Sequence, residues 1–310
     1  MQAHAPTLRT RLQRDQGEPM RITLADLTGQ PGASETIATK DGARLFTLSV
    51  GDGPAVVLAH GYGGAMGGWF PIASRLAAQG RRAILFNQRG HGAEIFGNPA
   101  STTGSGGVSP DAMASDYRAV LEHYDAKDAV LAGHSMGGYL AQRYVLNHPD
   151  EAKKRLRHVL LLATTAGRVF EGSLQNRLQI PLIRSGALSW LMRWRGVAQA
   201  FTRSLVGEDY SEAMGDLLGP VFRSQPHREL WPVLDALGRE SHLPRLGSFG
   251  VPCSILVGDR DRTTPLDQAR ALAVAIPGAT FEIIPGAGHM LIWERVELLT
   301  SKLLMLSAPR

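Results

Sequence analysis

Ser135 lies in the segment LAGHSMGG, with one glycine two residues before it and another two residues after it. A short apolar run, DAVLAG, leads into the serine, and a helical pattern, MGGYLAQRYVLNH, follows it. A serine on a sharp turn between a strand and a helix exposes its hydroxyl at the carboxyl end of a sheet, where it can attack a bound substrate. The pattern G-x-S-x-G also arises by chance in a glycine-rich chain, so a nucleophilic Ser135 needs partners elsewhere in the sequence.

Candidate partners follow the serine, at the ends of two later apolar runs. A serine hydroxyl becomes a good nucleophile when a base takes its proton and an acid orients that base. The segment IIPGAGHM supplies His289 as the base, and ILVGDRDRTTP supplies two candidate acids, Asp259 and Asp261. The backbone N–H groups of Met136 and of Tyr62, in the loop LAHGYGG, are candidate donors to an oxyanion. Together these residues predict acyl transfer by a serine hydrolase.

Three further histidines, His60, His91 and His134, lie within the same motifs and compete for the role of base. All three precede the serine, whereas the base of this arrangement follows it, which does not favour any of them as the base. The glycine cluster GYGGAMGG also resembles a dinucleotide loop, but Met66 stands where G-x-G-x-x-G requires its third glycine. No acidic residue ends the following apolar run, RRAILFNQRG, so a dinucleotide site is not predicted.

The elements that must position these residues alternate between strand and helix. ETIATKDGARLFTLSV is typical of a hairpin around Asp41 and Gly42. Six short apolar runs without polar alternation are typical of strands buried in a parallel sheet: AVVLAH, RRAILF, DAVLAG, RHVLLLATT, CSILVGD and TFEIIPG. Helical patterns lie between them, and a last helix, LIWERVELLTSKLLML, closes the chain. The alternation predicts an open, mostly parallel α/β sheet with helices on both faces.

Two stretches depart from this alternation. Residues 167–245 contain scattered Leu, Trp, Met and Arg without a clear strand, which predicts a helical insertion after the sixth strand. Residues 35–166 and 246–310 are then the core that carries the sheet. Residues 1–34 begin with several arginines but no apolar run, so we expect a flexible tail rather than a secretory signal.

Composition excludes several other classes of protein. Hydrophobic residues make up 44% and charged residues 20% of the chain, as in ordinary globular proteins. Cys253 is the only cysteine, and CxxC and HExxH patterns are missing, so neither a metal nor another cofactor is predicted. The net charge of +5 comes from scattered basic residues, which does not favour a nucleic-acid partner. No apolar run approaches the roughly 20 residues that span a bilayer, so we expect a cytoplasmic protein. The sequence does not define its oligomeric state.

Five motifs in order resemble the α/β-hydrolase family: HGYGG, FNQRGHG, GHSMGG, GDRDRTTP and GAGH. The resemblance covers residues 35–306, and GHSMGG with RGHG is most similar to monoacylglycerol-lipase-like esterases. It implies the α/β-hydrolase fold, and it implies Asp261 as the acid, since the acid of the family lies three residues after the glycine. It also implies that residues 167–245 form a lid, or cap, over the site. The family resemblance further implies that His60, His91 and His134 pack or hold turns. Asn87 departs from the aspartate of many relatives in a turn that is generally structural.

The apolar side chains of the predicted cap are expected to line an acyl pocket. The residues assigned to substrate binding are Leu182, Leu188, Trp190 and Leu191. Arginines are interspersed in the same segment, and that pattern is also typical of a helix on a membrane surface. A transient contact with a lipid surface through the cap is therefore a second expectation.

The predicted function is cofactor-independent hydrolysis of a small carboxylic ester with an apolar acyl group. Thioesterases, C–C bond hydrolases, lactonases and acyltransferases use the same triad and remain alternatives. A ligand receptor that keeps the pocket without turnover is the alternative from another class, because a fold does not fix a function.

Overall fold

A computed structural model of the protein describes residues 29, 31–94, 97, 99–171 and 173–309. Most of the predicted N-terminal tail, namely residues 1–28 and 30, lies outside the described residues. The first strand begins at Ala33, within the segment that the sequence assigned to the tail.

Eight strands form one sheet in the order β1-β2-β4-β3-β5-β6-β7-β8. The strands are β1 (Ala33–Ala38), β2 (Arg44–Val50), β3 (Ala55–Ala59), β4 (Arg82–Phe86), β5 (Ala129–His134), β6 (Leu156–Leu162), β7 (Cys253–Gly258) and β8 (Thr280–Ile284). β1 is antiparallel to β2, β2 is antiparallel to β4, and all other neighbouring strands are parallel. The predicted hairpin, the six further strands and the mostly parallel sheet are confirmed. The predicted burial fails for β8, which lies at the edge of the sheet and has only Ile284 buried.

The central strands contain apolar residues on both faces because helices cover both faces. Val57, Leu131 and Leu161 point into one hydrophobic core. Their neighbours Val56 and Val130 point into a second core on the other side. Side chains alternate along a strand, so a strand that is covered on both sides becomes a continuous apolar run.

Twelve helices accompany the sheet in the described part of the chain. They are α1 (Phe70–Ala78), α2 (Pro110–His123), α3 (Met136–Asn147), α4 (Pro149–Arg155), α5 (Leu174–Ser185), α6 (Ala187–Leu191), α7 (Arg195–Leu205), α8 (Glu212–Ser224), α9 (Trp231–Arg239), α10 (Leu266–Ala275), α11 (Leu291–Glu294) and α12 (Val296–Leu306). The single C-terminal helix predicted from the sequence is two helices, because Arg295 leaves helical geometry with φ −138° and ψ 48°. None of the helices in the described residues combines the length and apolar character needed to cross a membrane.

Helices α5–α9 lie between β6 and β7. The chain leaves the sheet and returns to it at neighbouring points, where Gly167 pairs with Ser241 and the N–H of Arg168 donates to the carbonyl of Glu240 at 3.0 Å. We call residues 167–245, which contain these five helices, the helical insertion.

Candidate active site

Ser135 occupies a strained turn between β5 and α3. Its φ of 54° and ψ of −120° put a residue with a side chain in a region that glycine usually occupies. The turn requires glycines beside it: a Cβ on Gly133 would lie 2.5 Å from the Gly137 carbonyl oxygen, and one on Gly137 would lie 2.5 Å from that of Ala59. The strain therefore persists because tight packing of β5, α3 and β3 holds the turn.

The structure brings Ser135, His289 and Asp261 together in one hydrogen-bonded chain. The Ser135 hydroxyl lies 3.0 Å from Nε2 of His289, and Nδ1 of His289 lies 2.9 Å from Oδ2 of Asp261. Asp259 is not part of this chain, because its Oδ1 accepts the N–H of Gly286 at 2.8 Å. The geometry thus distinguishes the two aspartates that the sequence offered as acids.

The Asp261 carboxylate is fully enclosed but well supplied with donors. Its Oδ1 accepts the N–H groups of Thr263 and Thr264 at 2.8 and 2.9 Å, and its Oδ2 accepts the Thr264 hydroxyl at 2.7 Å. Burial by itself raises the pKa of this carboxyl, but the neighbouring His289 and the Thr264 hydrogen bonds outweigh burial and leave the pKa below its ordinary value. An ionised Asp261 can orient the imidazole of His289 and stabilise its cation.

Two backbone N–H groups near the serine belong to residues that line a cavity. Met136 is the first residue of α3, and Tyr62 follows β3; both line the cavity. Within the described residues neither N–H donates to a protein acceptor. Gly61 allows this loop to approach, since a Cβ there would lie 3.0 Å from the Ser135 Cβ. Free donors next to a nucleophile are the arrangement that an oxyanion requires.

The side chain of Tyr62 connects this loop to the helical insertion. Nε2 of His227 donates to the carbonyl of Phe222 at 2.7 Å, so Nδ1 is the acceptor for the Tyr62 hydroxyl at 2.9 Å. Burial lowers the pKa of His227, which keeps its imidazole neutral in this contact. A side chain of the insertion thus positions the residue that carries one candidate oxyanion donor.

A cavity of about 160 Å³ opens onto Ser135 and His289. Its wall on the side of the insertion is mostly apolar and comes from α5, α7, α8 and α9. The insertion residues that line it include Ile180, Ile183, Phe201, Leu205, Leu218 and Phe222. An apolar group of a substrate can therefore lie against the insertion while its reacting atom meets the serine.

None of the four residues assigned to substrate binding from the sequence lines this cavity. Leu182 and Trp190 are 40% and 55% exposed, Leu188 is buried among other side chains, and Leu191 is half-buried. For Leu182 the reason is the rotation of α5, whose cavity side carries Ile180 and Ile183. Leu182 is one residue from Ile183, which is about 100° around the helix. Leu188, Trp190 and Leu191 belong to α6, which contributes no residue to the cavity. The expectation that these four side chains line the acyl pocket is therefore wrong for this cavity.

The other histidines of the motifs make structural contacts. Nε2 of His60 accepts the N–H of Gln88 at 3.0 Å, and Nε2 of His134 donates to the carbonyl of His289 at 2.8 Å. Burial lowers the pKa of His60 to about 4 and that of His134 to about 3, so both are neutral near pH 7. The ring of His91 contacts that of His60 edge-on, with centroids 5.3 Å apart.

Glu294 is a buried carboxylate at this site that the sequence reasoning missed. Its Oε2 accepts the N–H groups of Gly207 and Gly288, both at 2.8 Å, and so links the insertion to the residue before His289. Burial raises the pKa of the Glu294 carboxyl, and the two hydrogen bonds, which lower it, offset only part of that rise. A lone acid within the apolar run MLIWE was the available signal.

The segment around Gly207 is held along the loop that carries His289. The N–H of His289 donates to the carbonyl of Leu205 at 2.6 Å, and the N–H of Glu208 donates to that of Gly286 at 2.8 Å. The two chains approach so closely that a Cβ on Gly207 would lie 2.1 Å from the Gly286 carbonyl oxygen. We call residues 205–208 with 286–289 the histidine clamp.

The described residues contain no group of three or more His, Cys, Asp or Glu side chains arranged to hold a metal ion. The arrangement can instead supply a nucleophile, a base, an acid that orients the base and donors to an oxyanion, all from the protein itself.

This chain is similar to known proteins both in sequence and in structure. A non-heme chloroperoxidase from Kitasatospora aureofaciens is 27% identical, over 81% of this chain and 90% of its own. A pimeloyl-(acyl-carrier protein) methyl ester esterase from Chromobacterium violaceum is 26% identical, over 79% of this chain and 91% of its own. The structure of an esterase from Exiguobacterium antarcticum superposes with a TM-score of 0.77 at 21% identity, covering 89% of this chain and 100% of the esterase. The finer resemblance to monoacylglycerol-lipase-like esterases stays a prediction. Residues 13–300 match the model of the alpha/beta hydrolase family, so this chain belongs to that family.

Proposed function

We propose that this protein hydrolyses carboxylic esters with an apolar acyl group through an acyl-enzyme on Ser135. The observation that carries the proposal is the hydrogen-bonded chain from Asp261 through His289 to Ser135, which ends at an apolar cavity. Nucleophile, base and orienting acid are the three roles that acyl transfer requires.

In the first step, Nε2 of His289 takes the proton of Ser135 while Oγ attacks the carbonyl carbon of the ester. The carbonyl oxygen becomes an oxyanion and accepts hydrogen bonds from the N–H groups of Tyr62 and Met136. One such donor contributes roughly 3–4 kcal/mol to transition-state stabilisation. When the tetrahedral intermediate collapses, His289 gives its proton to the leaving alcohol, and the acyl group stays on Ser135.

In the second step, water attacks the acyl-enzyme and gives its proton to the same nitrogen of His289. The second tetrahedral intermediate releases the carboxylic acid, and the proton returns to Ser135. Asp261 remains ionised throughout, since its depressed pKa favours the carboxylate beside the imidazolium.

The preference for an apolar acyl group is supported by the side chains opposite the serine. Ile183, Phe201 and Leu218 are all buried and all line the cavity. Each methylene that a substrate buries there contributes about 0.8 kcal/mol to binding. Acyl chain length should therefore control kcat/KM until the cavity is full.

A second candidate is peroxide-dependent acyl transfer, which the similarity to a non-heme chloroperoxidase favours. Hydrogen peroxide in place of water would attack the acyl-enzyme and release a peroxy acid, which is the oxidant that halide oxidation needs. The candidate uses the same serine, base and oxyanion donors and requires no further group on the protein.

The test begins with a fluorophosphonate probe, which should label wild-type protein at Ser135 and leave a folded Ser135→Ala variant unlabelled. A series of p-nitrophenyl esters from acetate to dodecanoate then measures kcat/KM against chain length. Labelling without turnover of any ester or thioester would favour the receptor alternative. Bromide-dependent bromination of a phenol, with acetate and hydrogen peroxide present, tests the second candidate.

A further inference from the structure

Exposed apolar side chains are concentrated on one part of the helical insertion. Among the described residues, eight large hydrophobic side chains are strongly exposed, and five of them lie within residues 174–194. These five are Leu174, Leu178, Leu182, Trp190 and Trp194, and we call them the outer face. Single exposed hydrophobic residues are common on proteins, whereas a group on two successive helices indicates an interaction surface.

Helix α5 is apolar on two separate sides. Ile180 and Ile183 are buried and line the cavity on its inner side. Leu174, Leu178 and Leu182 follow one another at intervals of four residues on its outer side and are 71%, 64% and 40% exposed. A helix of a globular domain normally turns polar residues to water opposite its buried stripe. The fold accounts for the inner side of α5 and leaves the outer stripe without a partner in the described residues.

Two exposed tryptophans follow α5 in the chain. Trp190 lies in helix α6, which packs against α5, and Trp194 follows that helix. Their rings meet edge-on with centroids 4.7 Å apart, yet the side chains are 55% and 52% exposed. Tryptophan is enriched at the boundary between lipid headgroups and acyl chains, since its ring is apolar and its N–H is polar.

The charge of this segment has a single sign. Between Glu171 and Glu208 the chain contains five arginines and no Asp, Glu or Lys. Arg195 is neutralised by acids of helix α8, but Arg177 and Arg193 are exposed and have no acidic partner among the described residues. Guanidinium groups beside exposed Leu and Trp are complementary to an anionic lipid surface.

We infer that the outer face docks the protein onto the surface of an anionic lipid bilayer. The leucines and tryptophans enter the boundary between headgroups and acyl chains, and Arg177 and Arg193 lie against the lipid phosphates. The insertion would lie on the membrane without crossing it. Because the inner side of α5 lines the cavity, docking would place one wall of the cavity against the lipid surface. Docking itself does not require that the protein hydrolyse esters.

The experiment is flotation of the full chain with vesicles whose lipids are ether-linked, so that binding is measured without hydrolysis. One set contains equal parts of phosphatidylglycerol and phosphatidylcholine, and the other contains phosphatidylcholine alone. We expect binding to the anionic vesicles that exceeds binding to the neutral ones at least tenfold. The paired change Leu174→Ser with Leu178→Ser should lower binding about tenfold or more, because both side chains lose their apolar contact.

A second variant tests the role of charge. Arg177→Gln with Arg193→Gln should weaken binding to anionic vesicles about fivefold for each arginine and leave binding to neutral vesicles unchanged. The matched control is Val274→Ser with Met305→Ser, which removes two exposed apolar side chains outside the outer face and should change binding less than twofold. A circular-dichroism spectrum and a urea-unfolding midpoint equal to those of the wild type show that each variant is folded, so this test does not depend on the proposed function.

Three results would overturn the inference. One is no binding to anionic vesicles, and another is an equal loss in the control and in the leucine variant. The third is dimerisation in sedimentation experiments that the leucine change abolishes while vesicles do not bind, which would assign the outer face to a second copy of the chain.

Discussion

The loops at the carboxyl edge of the sheet and the helices of the insertion both line the cavity, but they fix their side chains differently. Ser135 is held by a strained turn, and Asp261 is held by hydrogen bonds from neighbouring backbone groups. Ile183 and Phe201 face the cavity only because of the way their helices are rotated. The difference suggests that loop geometry carries the chemistry, whereas helix rotation sets which substrates fit.

The largest expected effect comes from the serine and the histidine. Ser135→Ala or His289→Ala should each lower kcat by at least about 10⁴-fold, because the members of a triad act as a unit. The double variant should be hardly worse than either single one. Near-normal turnover by a folded Ser135→Ala protein would contradict the assignment of Ser135 as the nucleophile.

Asp261 and Asp259 form a matched pair in one loop. Asp261→Asn should lower kcat by about 10³-fold or more, because a neutral amide no longer stabilises the histidine cation or fixes its tautomer. Asp259→Asn keeps an oxygen that can accept the Gly286 N–H and should cost less than tenfold. The opposite ranking in steady-state kinetics would show that the resting geometry misidentifies the acid.

Glu294 joins the two regions, so its replacement tests how strongly they depend on each other. Glu294→Leu leaves the N–H groups of Gly207 and Gly288 without an acceptor and should lower kcat about tenfold with little change in KM. Glu294→Gln keeps one acceptor oxygen and should restore most of kcat. If both variants lose stability but keep kcat, the contact is structural and does not position His289.

Acid should destabilise the protein through its buried histidines. The folded-state pKa values of His60 and His134 are about 4 and 3, below the ordinary 6.5, so the unfolded chain binds protons that the folded chain rejects. The free energy of unfolding should therefore rise with pH between about 4 and 6.5, by about 1.4 kcal/mol per pH unit for each histidine.

Urea unfolding at pH 5 and pH 6 measures this slope. His134→Asn should reduce it by about 1.4 kcal/mol per pH unit. Asp116 and Glu294 have raised pKa values and act in the opposite direction, so the informative quantity is the difference between wild type and variant. If the free energy of unfolding had the same pH dependence in the wild type and in His134→Asn, His134 would take up a proton in the folded state as well.

The smallest expected effect concerns chain length. Ile183→Ala removes apolar contact from the cavity and should lower kcat/KM for medium-chain esters by roughly fourfold for each methylene that loses its contact. Acetate esters should change little. Leu182→Ala is the matched control on the same helix, where no cavity contact is lost. Equal chain-length profiles for the two variants would contradict the assignment of the pocket wall.

The catalytic loops were predictable because their signals are local. A glycine pattern around Ser135, an apolar run before it and a helical pattern after it specify one turn, and the acid and base each follow another apolar run. The same reasoning gave the strands of the sheet, since burial on both faces leaves continuous apolar segments.

The pocket wall was not predictable, because α5 is apolar on two sides and the sequence does not state which side faces inward. Leu182 and Ile183 are equally hydrophobic neighbours, and only tertiary packing separates them. The break of the last helix has a similar cause. Arg295 departs from the helix where its guanidinium contacts Asp209 of the insertion and the Pro285 carbonyl, and neither partner is near it in sequence.

The histidine clamp has a consequence for recombination between relatives. An exchange of the helical insertion for that of another family member has its two junctions near Gly167 and Ser241. Yet the carbonyl of Leu205, within the insertion, accepts the N–H of His289. The backbones of Gly207 and Gly288 also approach so closely that a side chain at either position would clash. A working chimera must therefore bring a compatible tetrapeptide with its helices, or redesign the histidine loop along with them.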